Sequence, residues 1–294
     1  MTARNRKQSI DMLRFVAAFG IVWAHMQAPF MIIGYLALPL FVILIAFLSL
    51  RSLVRGGERR FWQGRLLRFF LPWLVWSFAY LLLDVLRGND LPQVLDLEDP
   101  WWLLIGPVVH LWFLPFVVIF SPLVVLAAAV LTSAGRLWLA ALLCLPVALV
   151  AIWLHDGGAL PEPLLQWAFA LTPLLYGLLS ASARHYEVTT APLLFITLAG
   201  GIATLAWGSP IGPFLIVAAL LFEGLWRIDL KGQIWTELGR LAFGIYLVHP
   251  VAMLVWYRFA GAEWSQAMGA LAVFALSALL TALIRCTGVG RILT

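Results

Sequence analysis

Ten apolar stretches follow one another along this chain, with only short polar connections between them. They fall near 9–28, 32–50, 67–86, 102–131, 137–154, 164–182, 190–207, 211–226, 236–257 and 265–284. Hydrocarbon offers no water to satisfy backbone N–H and C=O groups, so each stretch must close its hydrogen bonds internally, as a helix. The expected fold is all-α: a polytopic membrane helix bundle of about ten transmembrane helices, with residues 1–294 forming a single integral domain. Composition agrees. The chain is 63% hydrophobic and only 11% charged, with a mean hydropathy of +0.98, a balance no soluble domain has.

The charges then orient the bundle. Fifteen of the 19 Lys and Arg fall in segments that alternate to one side. They are Arg4, Arg6 and Lys7; Arg51, Arg55, Arg59, Arg60, Arg65 and Arg68; Arg136; Arg184; Arg227 and Lys231; Arg285 and Arg291. The opposite side carries Asp90, Asp96, Glu98, Asp99, Asp156, Glu162 and Glu263. The positive-inside rule places the N-terminus and C-terminus in the cytoplasm. The basic residues are therefore loop markers rather than a nucleic-acid groove, and membrane lipids are their first partners. The N-terminal run resembles a secretory signal, but Asp11 and Arg14 interrupt it and no small-residue cleavage site follows; a retained anchor is expected. Cys144 and Cys286 lie in or beside apolar stretches, and no disulfide is expected of them. The fourth stretch holds Pro107, Pro115 and Pro122 and should kink.

Ionisable residues inside such helices are costly and by default functional. Arg14 and His25 share the first stretch, eleven positions apart. At about 100° per residue they lie within roughly 20° of one face, with a rise of about 16 Å between them. Asp11 is the i,i+3 neighbour of Arg14. His110 and His249 sit at comparable depth in the fourth and ninth stretches. Imidazole exchanges protons near neutral pH, so the three histidines could converge in one wet cavity. Each of His110 and His249 equally fits a structural role beside a proline, and both readings stand. No paired-ligand spacing supports a metal site, and none is assigned. Arg65 and Arg68, also i,i+3, can face one anion, for which guanidinium groups are suited. Lipid headgroups would use the same charges.

Four blocks together resemble the acyltransferase-3 family, whose members acylate sugars of surface glycans and related acceptors. They are Ser9-Ile-Asp11-Met-Leu-Arg14 with His25; Arg65-Leu-Leu-Arg68; His110-Leu-Trp112-Phe-Leu-Pro115; and Leu238-Gly-Arg-Leu-Ala-Phe-Gly-Ile-Tyr246-Leu-Val-His249-Pro250. They occur in family order between positions 9 and 250, and the count of ten spans also fits. One departure is visible. Where members often carry Ser-Gly in the second span, this chain has Ile45-Ala46, losing a hydroxyl and a point of close backbone approach.

The resemblance implies a membrane O-acyltransferase of a bacterial-type inner membrane. No permanent cofactor is implied; the co-substrate is an acyl-CoA, most often acetyl-CoA. Its phosphates would lie near Arg14, Arg65 and Arg68. His25 would act at the thioester, as general base or through a transient acyl-histidine, with Asp11 orienting Arg14. The acceptor, a glycan or lipid-linked sugar, would enter a cavity bounded by His110, Trp112, Tyr246 and His249. Two rival readings are a transporter or flippase for a lipid-linked sugar, and an inactive relative serving as a membrane partner. The second draws on Ile45-Ala46.

Overall fold

The computed structural model describes residues 7–89, 101–260, 264–288 and 290–294. Asp90, Asp96, Glu98, Asp99 and Glu263, expected on the outer side, lie outside the described residues, as do Arg4 and Arg6. The protein is all-α: 83% of the described residues are helical and none is in a strand.

The helices in chain order are α1 (Gln8–His25), α2 (Ile32–Arg65), a π turn (Leu66–Phe70), α3 (Leu71–Leu86) and the short α4 (Trp102–Ile105). A 3-10 turn (Val109–Trp112) leads into α5 (Phe113–Ile119) and α6 (Ser121–Val130). There follow α7 (Ala134–Asp156), α8 (Leu164–Ala183), α9 (Thr190–Trp207), α10 (Gly212–Arg227), α11 (Gln233–Phe259), α12 (Gln266–Arg285) and α13 (Gly290–Leu293). Seven described runs are long and apolar enough to cross a membrane, one of them the 55-residue run Ile32–Leu86. Neither α1, with Gln8, Asp11, Arg14 and His25 among its residues, nor the 16-residue α10 is one of the seven.

Three local features differ from expectation, each for a readable reason. The basic stretch 51–66, expected as a connection, is helical and broken only at Gly57, whose φ of 73° takes the backbone out of the helix. The fourth stretch is not one kinked helix but several pieces. Gly106 (φ 77°) ends α4, and Val108 is extended. Phe120 separates α5 from α6 ahead of Pro122, which has no N–H to donate. The first helix stops at His25 instead of near residue 28. There Gln27 adopts φ 52°, its N–H donates to the Ala24 carbonyl and that of Ala28 to the Trp23 carbonyl. That pair of bonds is a Schellman ending, with Pro29 just beyond it. Trp23 Nε1 donates to the Pro29 carbonyl at 2.7 Å and pins the turn.

The chain forms two compact units, Met1–Ile45 with Ile211–Ile292 and Thr294, and Ala46–Pro210 with Leu293. The first unit is built on the packing of α1 against α11, and of α12 against both. Its core joins Ala18, Val22 and Met26 to Ala242, Ile245 and Ala252 and to Ala270 and Val273. Phe15 and Phe19 each meet Phe274 edge-on, with ring centres 5.1 Å apart. Between helices in lipid there is little hydrophobic driving force, so close approach through small residues does the work. Gly20 faces Ala37, Gly34 faces Ala24, and Gly239 lies directly on Asp11.

The second unit centres on α7, α8 and α9, packed against one another through Leu137, Ala148, Ile152, Ala170, Phe195 and Ala199, all buried. An aromatic chain of Trp112, Phe113, Phe116, Phe120 and Trp167 ties α5 to α8. Leu142, Leu143 and Trp153 on α7 point outward, the apolar exterior expected of helices bathed in hydrocarbon.

Glycine carries several of these close approaches. A Cβ at Gly239 would lie 2.7 Å from Asp11 Cβ and 2.8 Å from its carbonyl oxygen. Gly239→Ala should therefore cost about 1–3 kcal/mol and lower the unfolding temperature in detergent. Gly201→Ala on α9, where a Cβ meets nothing within 4 Å, should hold or raise it. At Gly106 a positive φ combines with a Cβ position 2.8 Å from Ser77 Oγ, so Gly106→Ala should also lower the unfolding temperature.

Candidate functional site

In the first unit, α1 and α11 bring the polar residues of two separate sequence blocks together. Asp11 is buried near the start of α1 and pairs with Arg14 at 3.7 Å. Arg14 keeps part of its side chain, 28%, exposed. Eleven residues on, His25 ends the helix and is exposed. The centre of its ring lies 5.0 Å from that of His249 on α11, with the planes inclined at 43°. His249 is completely buried. Its Nδ1 donates to the Tyr246 carbonyl at 2.7 Å, since a carbonyl only accepts. Tyr246 is buried as well, 5.9 Å from the ring of Phe41 on α2 and 6.2 Å from that of His249. His25, expected at the thioester, and His249, expected in the acceptor cavity, are thus ring neighbours within one unit.

His110 and Trp112 belong to the second unit. His110 is buried on the 3-10 turn, and its ring meets that of Tyr80 on α3 edge-on at 5.4 Å. The Trp112 carbonyl accepts from Trp167 Nε1 at 3.4 Å.

The paired arginines also belong to the second unit, and they are not equivalent. Arg65 is buried. Its Nη2 donates to Ser49 Oγ at 2.9 Å, and its guanidinium lies over the rings of Phe61 (4.5 Å) and Phe69 (5.0 Å). Arg68 is exposed on the π turn. A π turn widens the helix by one residue and often marks functional positions. This one sits just ahead of Pro72, which cannot supply the N–H that an α-helix would need there. Two like residues three apart therefore do different things: Arg65 is held by its own chain, while Arg68 faces outward.

Sequence reasoning missed several members of these clusters. Phe61 and Phe69 flank Arg65 at i−4 and i+4, a spacing that signals a cation–π cage on a helix. Ser49 restores, one helical turn later, the kind of hydroxyl that Ile45 lacks. Tyr80 carried no local signal, because its partner His110 is thirty positions away in sequence. Glu223, buried on α10, is a further ionisable group in the first unit.

No curated protein and no solved structure matches the chain. A family model described as an acyltransferase domain does match, over residues 7–286. With several apolar helices of membrane-spanning length, this is a multi-pass membrane protein. Its matched segment takes in both units and all four motif blocks, and the chain belongs to the acyltransferase-3 family.

Proposed function

We propose that the protein transfers an acyl group, acetyl, from a cytoplasmic acyl-CoA to a sugar hydroxyl of a glycan or glycolipid on the outer face of a bacterial-type inner membrane. One observation carries this reading beyond family membership. An accessible imidazole, His25, closes a helix that bears Arg14 on the same face, and a wholly buried imidazole stands behind it. Ten spans serve it, with Ile32–Leu86 crossing twice and α1 and α10 crossing beside the other apolar runs, so that both chain ends are cytoplasmic.

In this scheme the acceptor hydroxyl attacks the thioester carbonyl as His25 takes its proton. The carbon–sulfur bond breaks, and the coenzyme thiolate recovers the proton from the imidazolium. The products are the O-acyl sugar and free coenzyme A. Transfer through an acyl-histidine would split the same change into two steps. Arg14, oriented by Asp11, holds donor phosphate, and Arg68 in the second unit offers an exposed guanidinium to the same class of anion. Arg65 supplies positive charge and braces the π turn through Ser49. Tyr246 and His249 bound the acceptor cavity on the side of the first unit.

The alternative of an inactive relative gains its support from Ile45-Ala46. Acetyl-CoA binding without turnover on any glycan acceptor would select it. Membranes supplied with radiolabelled acetyl-CoA should instead label glycan. His25→Ala should lower that rate about 10²–10⁴-fold, the range of a general base, in protein that still inserts. Unchanged turnover would reject the role of His25. Arg68→Ala should raise the KM for acyl-CoA about tenfold or more, as loss of a charge-assisted contact does. Ser49→Ala should instead lower thermal stability, because it strips a buried guanidinium of its partner.

A further inference from the structure

Pro250 has no N–H, so the helix cannot bond position 250 back to the Tyr246 carbonyl four residues earlier. That carbonyl is taken by the side chain of His249 instead, Nδ1 to O at 2.7 Å. A proline thus does something specific to its neighbour. By vacating a carbonyl it fixes which ring nitrogen of His249 carries the proton. Nδ1 is the donor, so Nε2 is left as the acceptor of the neutral ring. The side chain is enclosed: His249 and its neighbours Ile245, Leu247, Val248 and Ala252 are all at or below 1% exposure.

The ring of His25 is 5.0 Å away, centre to centre. The two rings are not hydrogen-bonded to one another as they stand, inclined at 43°. A ring nitrogen lies about 1.2 Å from its ring centre, so a turn of the His25 side chain brings an N–H within bonding reach of His249. His25 is also the residue with freedom to turn, being exposed and last in α1. The backbone on either side is not free. Met26 is buried in the α1–α11–α12 core, where its Sδ accepts from the Tyr257 hydroxyl at 3.7 Å, and the turn beyond is pinned by Trp23.

From this geometry we infer that His249 is the positioning residue for His25: its acceptor nitrogen, set by Pro250 and the Tyr246 carbonyl, takes an N–H from His25 and leaves the other His25 nitrogen bare and aimed at the acceptor hydroxyl. The inference rests on the acyl-transfer reading and moves His249 from the wall of the acceptor cavity to the catalytic base itself. The arrangement follows the general pattern in which a base is oriented by a third group. Here that group is a neutral imidazole. When His25 receives the hydroxyl proton, its other N–H stays bonded to His249, so the proton on the reacting side is the one handed to the departing thiolate.

Three substitutions separate positioning from mere support. In His249→Asn the amide N–H reaches the place of Nδ1 and can still cap the Tyr246 carbonyl, but nothing occupies the place of Nε2. In His249→Gln the longer side chain puts an acceptor where Nε2 was. His249→Ala removes both. In acetyl transfer from membranes, His249→Ala should lower kcat about 10²-fold with both KM values within about threefold of the parent, and His249→Gln should recover about tenfold where His249→Asn does not. Equal recovery by His249→Asn would overturn the inference in favour of a helix cap. A raised acceptor KM with unchanged kcat would return His249 to the cavity wall.

A second measurement needs no turnover. In the purified, ¹⁵N-histidine-labelled protein, His249 should show a protonated Nδ1 and a bare Nε2. The Nε2 signal should move in His25→Ala, and the single tautomer should be lost in Pro250→Ala, where a backbone N–H competes for the Tyr246 carbonyl. Signals indifferent to His25→Ala would overturn the pairing. If the parent protein transfers no acyl group, the functional reading fails by itself, and these spectra still decide whether the two rings are coupled.

Discussion

The contact between α1 and α11 is the constraint on which the rest of the structure depends. Asp11 rests on Gly239 so closely that a single added methyl would meet its backbone. Farther along the same two helices, Ala18, Val22 and Met26 lie against Ala242, Ile245 and Ala252. This tight seam makes a short, charge-bearing helix part of a packed unit. It also sets the distance between the His25 and His249 rings, because both are carried on backbones with little room to shift.

Polar groups in this protein are stabilised by different means according to their surroundings. Asp11 is buried and pairs with a cation one turn away. Arg65 is buried with a hydroxyl and two aromatic faces, which suit the weakly hydrated guanidinium better than they would an ammonium. His249 is buried with a carbonyl that proline has released. Against these, Arg68 and His25 are exposed. The held members fix the local geometry, and under the proposed function the exposed members are the ones a donor or an acceptor would reach.

Much of the fold was legible because hydrocarbon permits so few solutions. Apolar runs of sufficient length imply helices, and most expected segments coincide with observed ones to within a few residues: 190–207 matches α9, and 164–182 matches α8. The errors fall where a backbone detail overrides hydropathy. Gln27 and Pro29 end α1 early, Gly57 alone interrupts the basic helix, and Gly106 with Pro107 breaks the fourth stretch. Those are turn chemistry, which an apolar pattern does not register. Of the site, the stripe from Arg14 to His25 could be read from helical periodicity, since both residues share one element.

The sequence alone settled the all-helical class, the motif blocks and the family they belong to, because these depend on composition and on spacing within single helices. Only tertiary structure could put His249 behind His25, give Arg65 to Ser49 while leaving Arg68 exposed, and set Tyr80 against His110. Each of those pairs joins residues on different helices or different faces of one, and nothing in linear spacing encodes how two helices cross. Crossing is decided by where small residues let backbones meet, at Gly239 above all, and that is a property of the packed chain.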